Sequence, residues 1–351
     1  MSPLSVALGI MSKPIVQLPP QKVAVFGGGS FGTAMAVAVA RNGHRVAILV
    51  RDAQVANEIN TQHTNSKYIG DLPLPHNVTA TTDINEALAG VSFIFHAIPA
   101  QTTFDFLEHR KTVIPADVPI ISTSKGISTE SLKLMSDLIP EALGRTNQPL
   151  AYLSGPSFAK EVIQNLPTAV VVASVATEVA QRVQCLMSST TFRVYTTDDV
   201  TGVEVGGALK NPLAIGAGVI HGMGFGNNAL AILVTRGCSE MKKLAIQLGG
   251  KPETLAGLSG FGDLMLTCHS AMSRNRTVGY RLGKGETLQA ILASMAEVAE
   301  GVPTAGAVVR LAAREKLDLP IFKAIGDLLD GKLAAMQALE HLMTLPLRAE
   351  D

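Results

Sequence analysis

The first half of the chain alternates short apolar runs with helical periodicity. Runs at 22–26 (KVAVF), 45–50 (RVAILV), 91–97 (VSFIFHA) and 118–123 (VPIIST) are each closed by Gly, Pro or polar residues. Short continuous apolar runs of this kind suit strands buried on both faces. Residues 30–42 carry a helical pattern between the first two runs, and 168–175 and 192–196 supply later strands. After about residue 198 the alternation stops. Helical patterns follow at 199–219, 228–248, 274–282, 288–295, 304–316 and 321–330. This order predicts an α/β N-terminal domain over 21–198, built on a doubly wound parallel sheet, and an all-α C-terminal domain over 199–345. Residues 1–20, with Pro3, Pro14, Pro19 and Pro20, read as a loose extension in which Met11 offers an alternative start.

A length of 351 residues fits two domains of ordinary size. Hydrophobic residues make up 47% but aromatics only 4%, so the core is aliphatic and Ala-rich. That content excludes disorder, which needs low hydrophobicity and high net charge. Lys and Arg total 29, as do Asp and Glu, which argues against nucleic-acid and basic membrane-surface partners. An anionic ligand is then held by a few local cations. Cys185, Cys238 and Cys268 form no CxxC pair, so reduced thiols and a cytoplasmic setting are expected. The histidines show no HxxH or HExxH spacing, and Cys268 and His269, as chain neighbours, do not converge on one ion; no metal is expected. No Asp, Glu, Lys or Arg occurs in 211–235, enough for the ~20-residue length of a membrane span. Pro212, His221, Asn227, Asn228 and the Gly222, Gly224, Gly226 cluster instead make it two apolar helices joined by a Gly-rich turn. The N-terminus lacks a basic n-region, so no export signal is expected.

Gly27-Gly28-Gly29-Ser30-Phe31-Gly32 is a G-x-G-x-x-G placed between the first strand and the first helix. Gly27 permits the tight turn, Gly29 lets backbone approach a pyrophosphate, and Gly32 lets helix and strand pack closely. The helix N-terminus offers N–H groups and partial positive charge to phosphates. These features make the first domain Rossmann-like and point to a dinucleotide. At the end of the second strand, Arg51 suits a ribose 2′-phosphate and Asp52 a 2′-OH, so NADP(H) is slightly favoured and NAD(H) stays open. His96-Ala97-Ile98-Pro99 ends the fourth strand in a turn that would pass beneath the nicotinamide half.

The chemistry-bearing segment of the second half is GGALKNP, 206–212. Two glycines inside a helix should cost roughly 1 kcal/mol each relative to Ala. Helical side chains lean toward the N-terminus, so the Lys210 stem should cross Gly206 and Gly207, leaving room for another molecule beside its ammonium. Pro212 should kink the helix nearby. Further on, Gly260-Phe261-Gly262-Asp263-Leu264 and Thr267 precede Ser273-Arg274-Asn275-Arg276, where Ser273 is a candidate N-cap and the helix start a candidate phosphate site. Ser124-Lys125-Gly126 sets a cation at the carboxyl edge of the sheet. SGPSFAKE, 154–161, is a Gly-Pro turn into a helix.

Taken together, GGGSFGTA (27–34), SKG (124–126), SGPSFAKE (154–161), GGALKN (206–211), GFGDL (260–264), SRNR (273–276) and AEG (299–301) make the chain resemble the NAD(P)-dependent glycerol-3-phosphate dehydrogenases of the bacterial biosynthetic type. The resemblance spans about 22–331. It implies NAD(P)H-dependent, reversible reduction of dihydroxyacetone phosphate to sn-glycerol 3-phosphate for phospholipid synthesis, by a homodimer. It also implies that Lys210 is the proton donor and acceptor, with Lys125 and Asp263 at the reacting end. Gly155, Ser157, Ser273, Arg274 and Asn275 match substrate-binding positions, Arg274 and Asn275 being best placed for phosphate. Ser30, Phe31, Arg51, Lys125, Ala159, Arg274, Val298 and Glu300 match cofactor positions, beside Gly27, Gly29 and Gly32. Crowding by Lys125 and Arg274, together with closure against water, is expected to lower the Lys210 pKa. A 6-phosphogluconate or β-hydroxyacid-type dehydrogenase shares the architecture; a non-catalytic NAD(P)H sensor would need neither Lys125 nor Lys210.

Overall fold

The computed structural model describes residues 18–295 and 298–344. The proposed alternative start and most of the N-terminal extension lie outside the described residues, as does residue 345. Eight strands form one sheet: β1 (Lys22–Phe26), β2 (Arg45–Leu49), β3 (Val78–Thr81), β4 (Phe93–His96), β5 (Ile120–Ser122), β6 (Leu150–Ser154), β7 (Thr168–Ala173) and β8 (Phe192–Thr197). Their spatial order is 3-2-1-4-5-6-7-8. β1 to β6 pair in parallel, whereas β7 runs antiparallel to β6 and parallel to β8. The doubly wound parallel sheet expected from the apolar runs is present with one exception: residues 155–167, which include helix Ala159–Ile163, bring the chain back antiparallel beside β6, and residue patterning carries no record of strand direction. The order reverses between β1 and β4, the switch point where ligands of open α/β sheets bind.

Seven helices position the site: α1 (Ser30–Arg41), α2 (Val200–Gly222), α3 (Asn227–Gln247), α4 (Asp263–His269), α5 (Arg274–Gly283), α6 (Gly301–Arg314) and α7 (Pro320–Leu329). One apolar cluster, including Val23, Val25, Met35 and Val37, fills the sheet face under α1; a second, with Phe26, Ile94, Ile120 and Tyr152, fills the other. A third core gathers around α2, with Leu209, Leu213, Met241, Leu264 and Phe322. α2 is buried almost all round, as a helix apolar on every face must be. The uncharged stretch is the end of α2, a turn at 223–226 and the start of α3, and among the described residues no helix is long and apolar enough to cross a membrane. α2 runs unbroken through Pro212.

Candidate active site

The glycine turn and the Pro99 turn meet at the switch point. Gly27 adopts φ +104°, open to glycine at little strain, and a Cβ there would lie 2.7 Å from the Ala97 carbonyl oxygen. A Cβ on Gly32 would collide with the Gly27 carbonyl, so the third glycine brings α1 down onto the turn. Nothing lies within 4 Å of the position a Gly29 Cβ would take, and no side chain caps α1. An uncapped helix N-terminus above open space is a cradle that fits an anion such as a pyrophosphate.

Arg51 is exposed just past β2. Asp52 is the N-cap of helix Ala53–Gln62, its Oδ1 accepting from Gln54 N at 2.9 Å. His96 is wholly buried; its Nε2 lies 3.0 Å from Thr103 Oγ1, and burial pushes its pKa down to about 3, so the ring is neutral. After β5 the chain is tied to the Pro99 turn: Thr123 N donates to His96 O at 2.9 Å and Ser124 Oγ to Ile98 O at 2.6 Å. This lays Lys125 across the crevice, its ammonium 5.6 Å from the Phe31 ring centroid.

Asp263 joins the halves. Its Oδ2 accepts from Lys125 Nζ at 2.8 Å and its Oδ1 from Lys210 Nζ at 2.8 Å. Lys210 Nζ also donates to Thr267 Oγ1 at 2.9 Å, and Thr267 Oγ1 donates to the Asp263 carbonyl at 2.6 Å. Burial lowers the Lys210 pKa to about 8; Asp263 opposes that and Lys125 adds to it. Of the expected causes, exclusion from water dominates and Lys125 contributes, while Arg274, against the expectation, does not figure among them. Burial alone would raise Asp263, but the two ammonium groups outweigh it and hold the carboxylate below its ordinary value.

The surface left bare by the two glycines before Lys210 is covered by protein. A Cβ on Gly206 would collide with the Ser259 carbonyl, and one on Gly207 would stand 2.9 Å from Ser154 Oγ and 3.5 Å from Lys125 Cγ. Protein fills the space. The π-helical turn Leu258–Gly262 packs onto α2 there and delivers Asp263 to Lys210. Which atoms cross a bare helix surface is a tertiary fact that spacing does not encode.

Ser273 caps α5 by accepting from Arg276 N at 3.2 Å, and Arg274 is exposed at the helix start. Asn275 is buried: its Nδ2 donates to Asn211 Oδ1 at 3.0 Å and its Oδ1 accepts from Gly301 N at 2.9 Å. Asn211 Nδ2 in turn donates to the Lys125 carbonyl at 3.3 Å. Asn211 and Thr267, both within or beside recognised motifs, thereby join the site although sequence reasoning gave them no role. Gly155 sits at φ +130° with its carbonyl 3.5 Å from Lys125 Nζ, and Ser157 Oγ donates to that same carbonyl at 2.9 Å. Ala159 opens helix Ala159–Ile163. Glu300 Oε1 accepts from Ala100 N at 2.9 Å, and Val298 is exposed nearby in sequence. Among the described residues no group of three or more His, Cys, Asp and Glu side chains comes together as a metal site.

A family model described as the NAD-dependent glycerol-3-phosphate dehydrogenase N-terminus matches residues 22–186, and the corresponding C-terminus model matches 199–340. The chloroplastic glycerol-3-phosphate dehydrogenase (NAD+) 2 of Arabidopsis thaliana is 52% identical over 93% of this chain and 78% of its own length. The glycerol-3-phosphate dehydrogenase (NAD(P)+) of Leptospira biflexa is 45% identical over 94% of this chain and 99% of its own. Among solved structures, glycerol-3-phosphate dehydrogenase from Coxiella burnetii superposes with a TM-score of 0.88 at 34% identity, covering 93% of this chain and 99% of that one.

Proposed function

We propose roles for the site residues from the premise that this chain belongs to the NAD-dependent glycerol-3-phosphate dehydrogenase family. It is an oxidoreductase that reversibly reduces dihydroxyacetone phosphate to sn-glycerol 3-phosphate with NAD(P)H. When bound, the dinucleotide supplies or accepts the hydride. Gly27, Gly29, Ser30, Phe31 and Gly32 hold its pyrophosphate, with Arg51, Lys125, Ala159, Arg274, Val298 and Glu300 as further contacts.

Lys210 is the proton donor. Hydride addition to a ketone leaves negative charge on oxygen, and a buried ammonium there supplies both a proton and fixed positive charge. The observation that carries this is the Lys210–Asp263–Lys125 chain, in which one carboxylate orients two ammonium groups through separate oxygens at 2.8 Å each. A pKa of about 8 lets Lys210 give and retake a proton near neutrality, which an ordinary lysine near 10.4 does poorly. Lys125, Gly155, Ser157, Ser273, Arg274 and Asn275 bind substrate. Arg274 meets its phosphate with a forked donor at a helix N-terminus. Residues 21–198 act as the cofactor domain and 199–345 as the catalytic domain.

Three free cysteines support a reducing, cytoplasmic setting for a homodimer whose product enters phospholipid synthesis. Light scattering tests the dimer. A spectrophotometric assay with dihydroxyacetone phosphate and NADH or NADPH in parallel tests the reaction, and oxidation of neither cofactor by folded protein would refute it.

A further inference from the structure

The acidic residue at the end of the second strand is the group that ordinarily accepts from a ribose 2′-OH. In this chain both of its oxygens are engaged. Asp52 Oδ1 caps helix Ala53–Gln62, and Oδ2 faces Lys67 Nζ at 3.6 Å. Lys67 lies on the short helix Ser66–Ile69, and that element is fastened to the glycine turn. Asn65, wholly buried, donates through Nδ2 to Gly28 O and to Thr33 Oγ1, each at 2.9 Å. Ser30 Oγ donates to Tyr68 O at 2.8 Å. The Lys67 ammonium also lies 5.6 Å from the Tyr68 ring centroid. Thus the loop that grips the phosphate turn also carries a cation to Asp52 at the end of β2, the residue that follows exposed Arg51.

We propose that Lys67 and Arg51 together form a subsite for a ribose 2′-phosphate, which makes Lys67 a residue that determines preference for NADP(H) over NAD(H). The inference rests on the reading of 27–32 as the cofactor turn. An exposed ion pair at 3.6 Å is weak, so exchanging the Asp52 carboxylate for a phosphate dianion costs Lys67 little. A 2′-OH has no charge to draw Lys67 away, and it must share the Asp52 oxygens with Gln54 N and Lys67.

Binding, measured without turnover, tests this. Purified protein is titrated with NADPH, NADH, 2′,5′-ADP and 5′-AMP by calorimetry. Lys67→Ala should weaken NADPH and 2′,5′-ADP about tenfold, the loss of one charge-assisted contact, while NADH and 5′-AMP change less than about twofold. Lys67→Arg should retain NADPH affinity. Asp52→Asn keeps a good N-cap but removes the competing charge, and should tighten NADPH alone. Unchanged NADPH affinity in Lys67→Ala, or equal losses for both dinucleotides, overturns the subsite while leaving the cofactor turn intact. Wild-type protein that binds neither dinucleotide overturns the cofactor turn itself and the subsite with it.

Discussion

Lys210 is a buried ammonium whose proton is held less tightly than a lysine's usually is. In the role proposed for Lys210, reduction consumes that proton, so kcat for dihydroxyacetone phosphate should fall as pH rises through about 8, and glycerol 3-phosphate oxidation should rise over the same interval; stopped-flow pH profiles in both directions check this. Lys210→Met should lower kcat by about 10³-fold or more, within the range of general acid catalysis, with dinucleotide Kd nearly unchanged in a binding titration. Asp263→Asn leaves the buried Lys210 and the partly buried Lys125 with no anion between them. Its expected cost is about 3–5 kcal/mol of stability by denaturant titration. The alkaline limb of the reduction profile should also move below pH 8, because the group that raises the Lys210 pKa is gone. At this scale the sequence is informative about identities: Lys210, Asp263 and Lys125 are all legible from motifs. It singles out Gly206 and Gly207 but not what covers them, the Ser259 carbonyl and Ser154 hydroxyl across the helix. Asn211 is hidden for a similar reason, since its partners lie 86 and 64 residues away along the chain.

Among the elements, α2 and α5 meet backbone to backbone. Gly218 and Gly222 on α2 face Gly279 and Gly283 on α5, each pair four residues apart. A Cβ on Gly279 would collide with the Ile215 carbonyl, one on Gly218 with the Arg276 carbonyl, and one on Gly283 would stand 2.6 Å from the Val219 carbonyl. Gly279→Ala should therefore cost about 3 kcal/mol or more, since the obstacle is backbone and cannot turn aside; urea unfolding measures it. The same variant should raise the substrate KM more than the dinucleotide Kd, because α5 begins with Arg274. Helices are the most legible elements: the pattern at 228–248 anticipates α3, observed as Asn227–Gln247. β3 (VTAT) and β6 (LAYLS) do not stand out from the sequence, being too short and too ordinary to rise above their surroundings. The periodicity places the start of α6 three residues late, at 304, because Gly301 and Pro303 look like a turn while Glu300 ties that end to Ala100.

In the whole molecule, the sheet and the helical half are fastened at several buried points. Besides Lys125–Asp263 and Glu300–Ala100, Glu204 on α2 accepts from Ser136 N at 3.0 Å, capping helix Met135–Leu143 from outside. Burial pushes the Glu204 pKa up to about 8, with Asp137 adding to the shift. The folded state then holds a proton that the unfolded chain releases near 4.5, so this residue's contribution to stability declines as pH rises from 4.5 toward 8. Glu204→Gln should remove that decline, raising Tm at pH 8 and much less at pH 5, as calorimetry can show. That two bodies exist is plain from the change of pattern near residue 198; which carboxylates cross between them is not, because burial is decided only once the halves dock. The glycine contact between α2 and α5 has one more consequence. Interlocked side chains can ratchet past each other, but two bare backbones in contact behave as a caliper locked at one setting. Lys210 and Arg274 ride on its two arms, so with the roles proposed for them above the span from carbonyl to phosphate is gauged by main chain. A ketose phosphate one carbon longer must fold itself to fit, and its kcat/KM should drop by at least about tenfold, the scale set by one methylene in a rigid pocket.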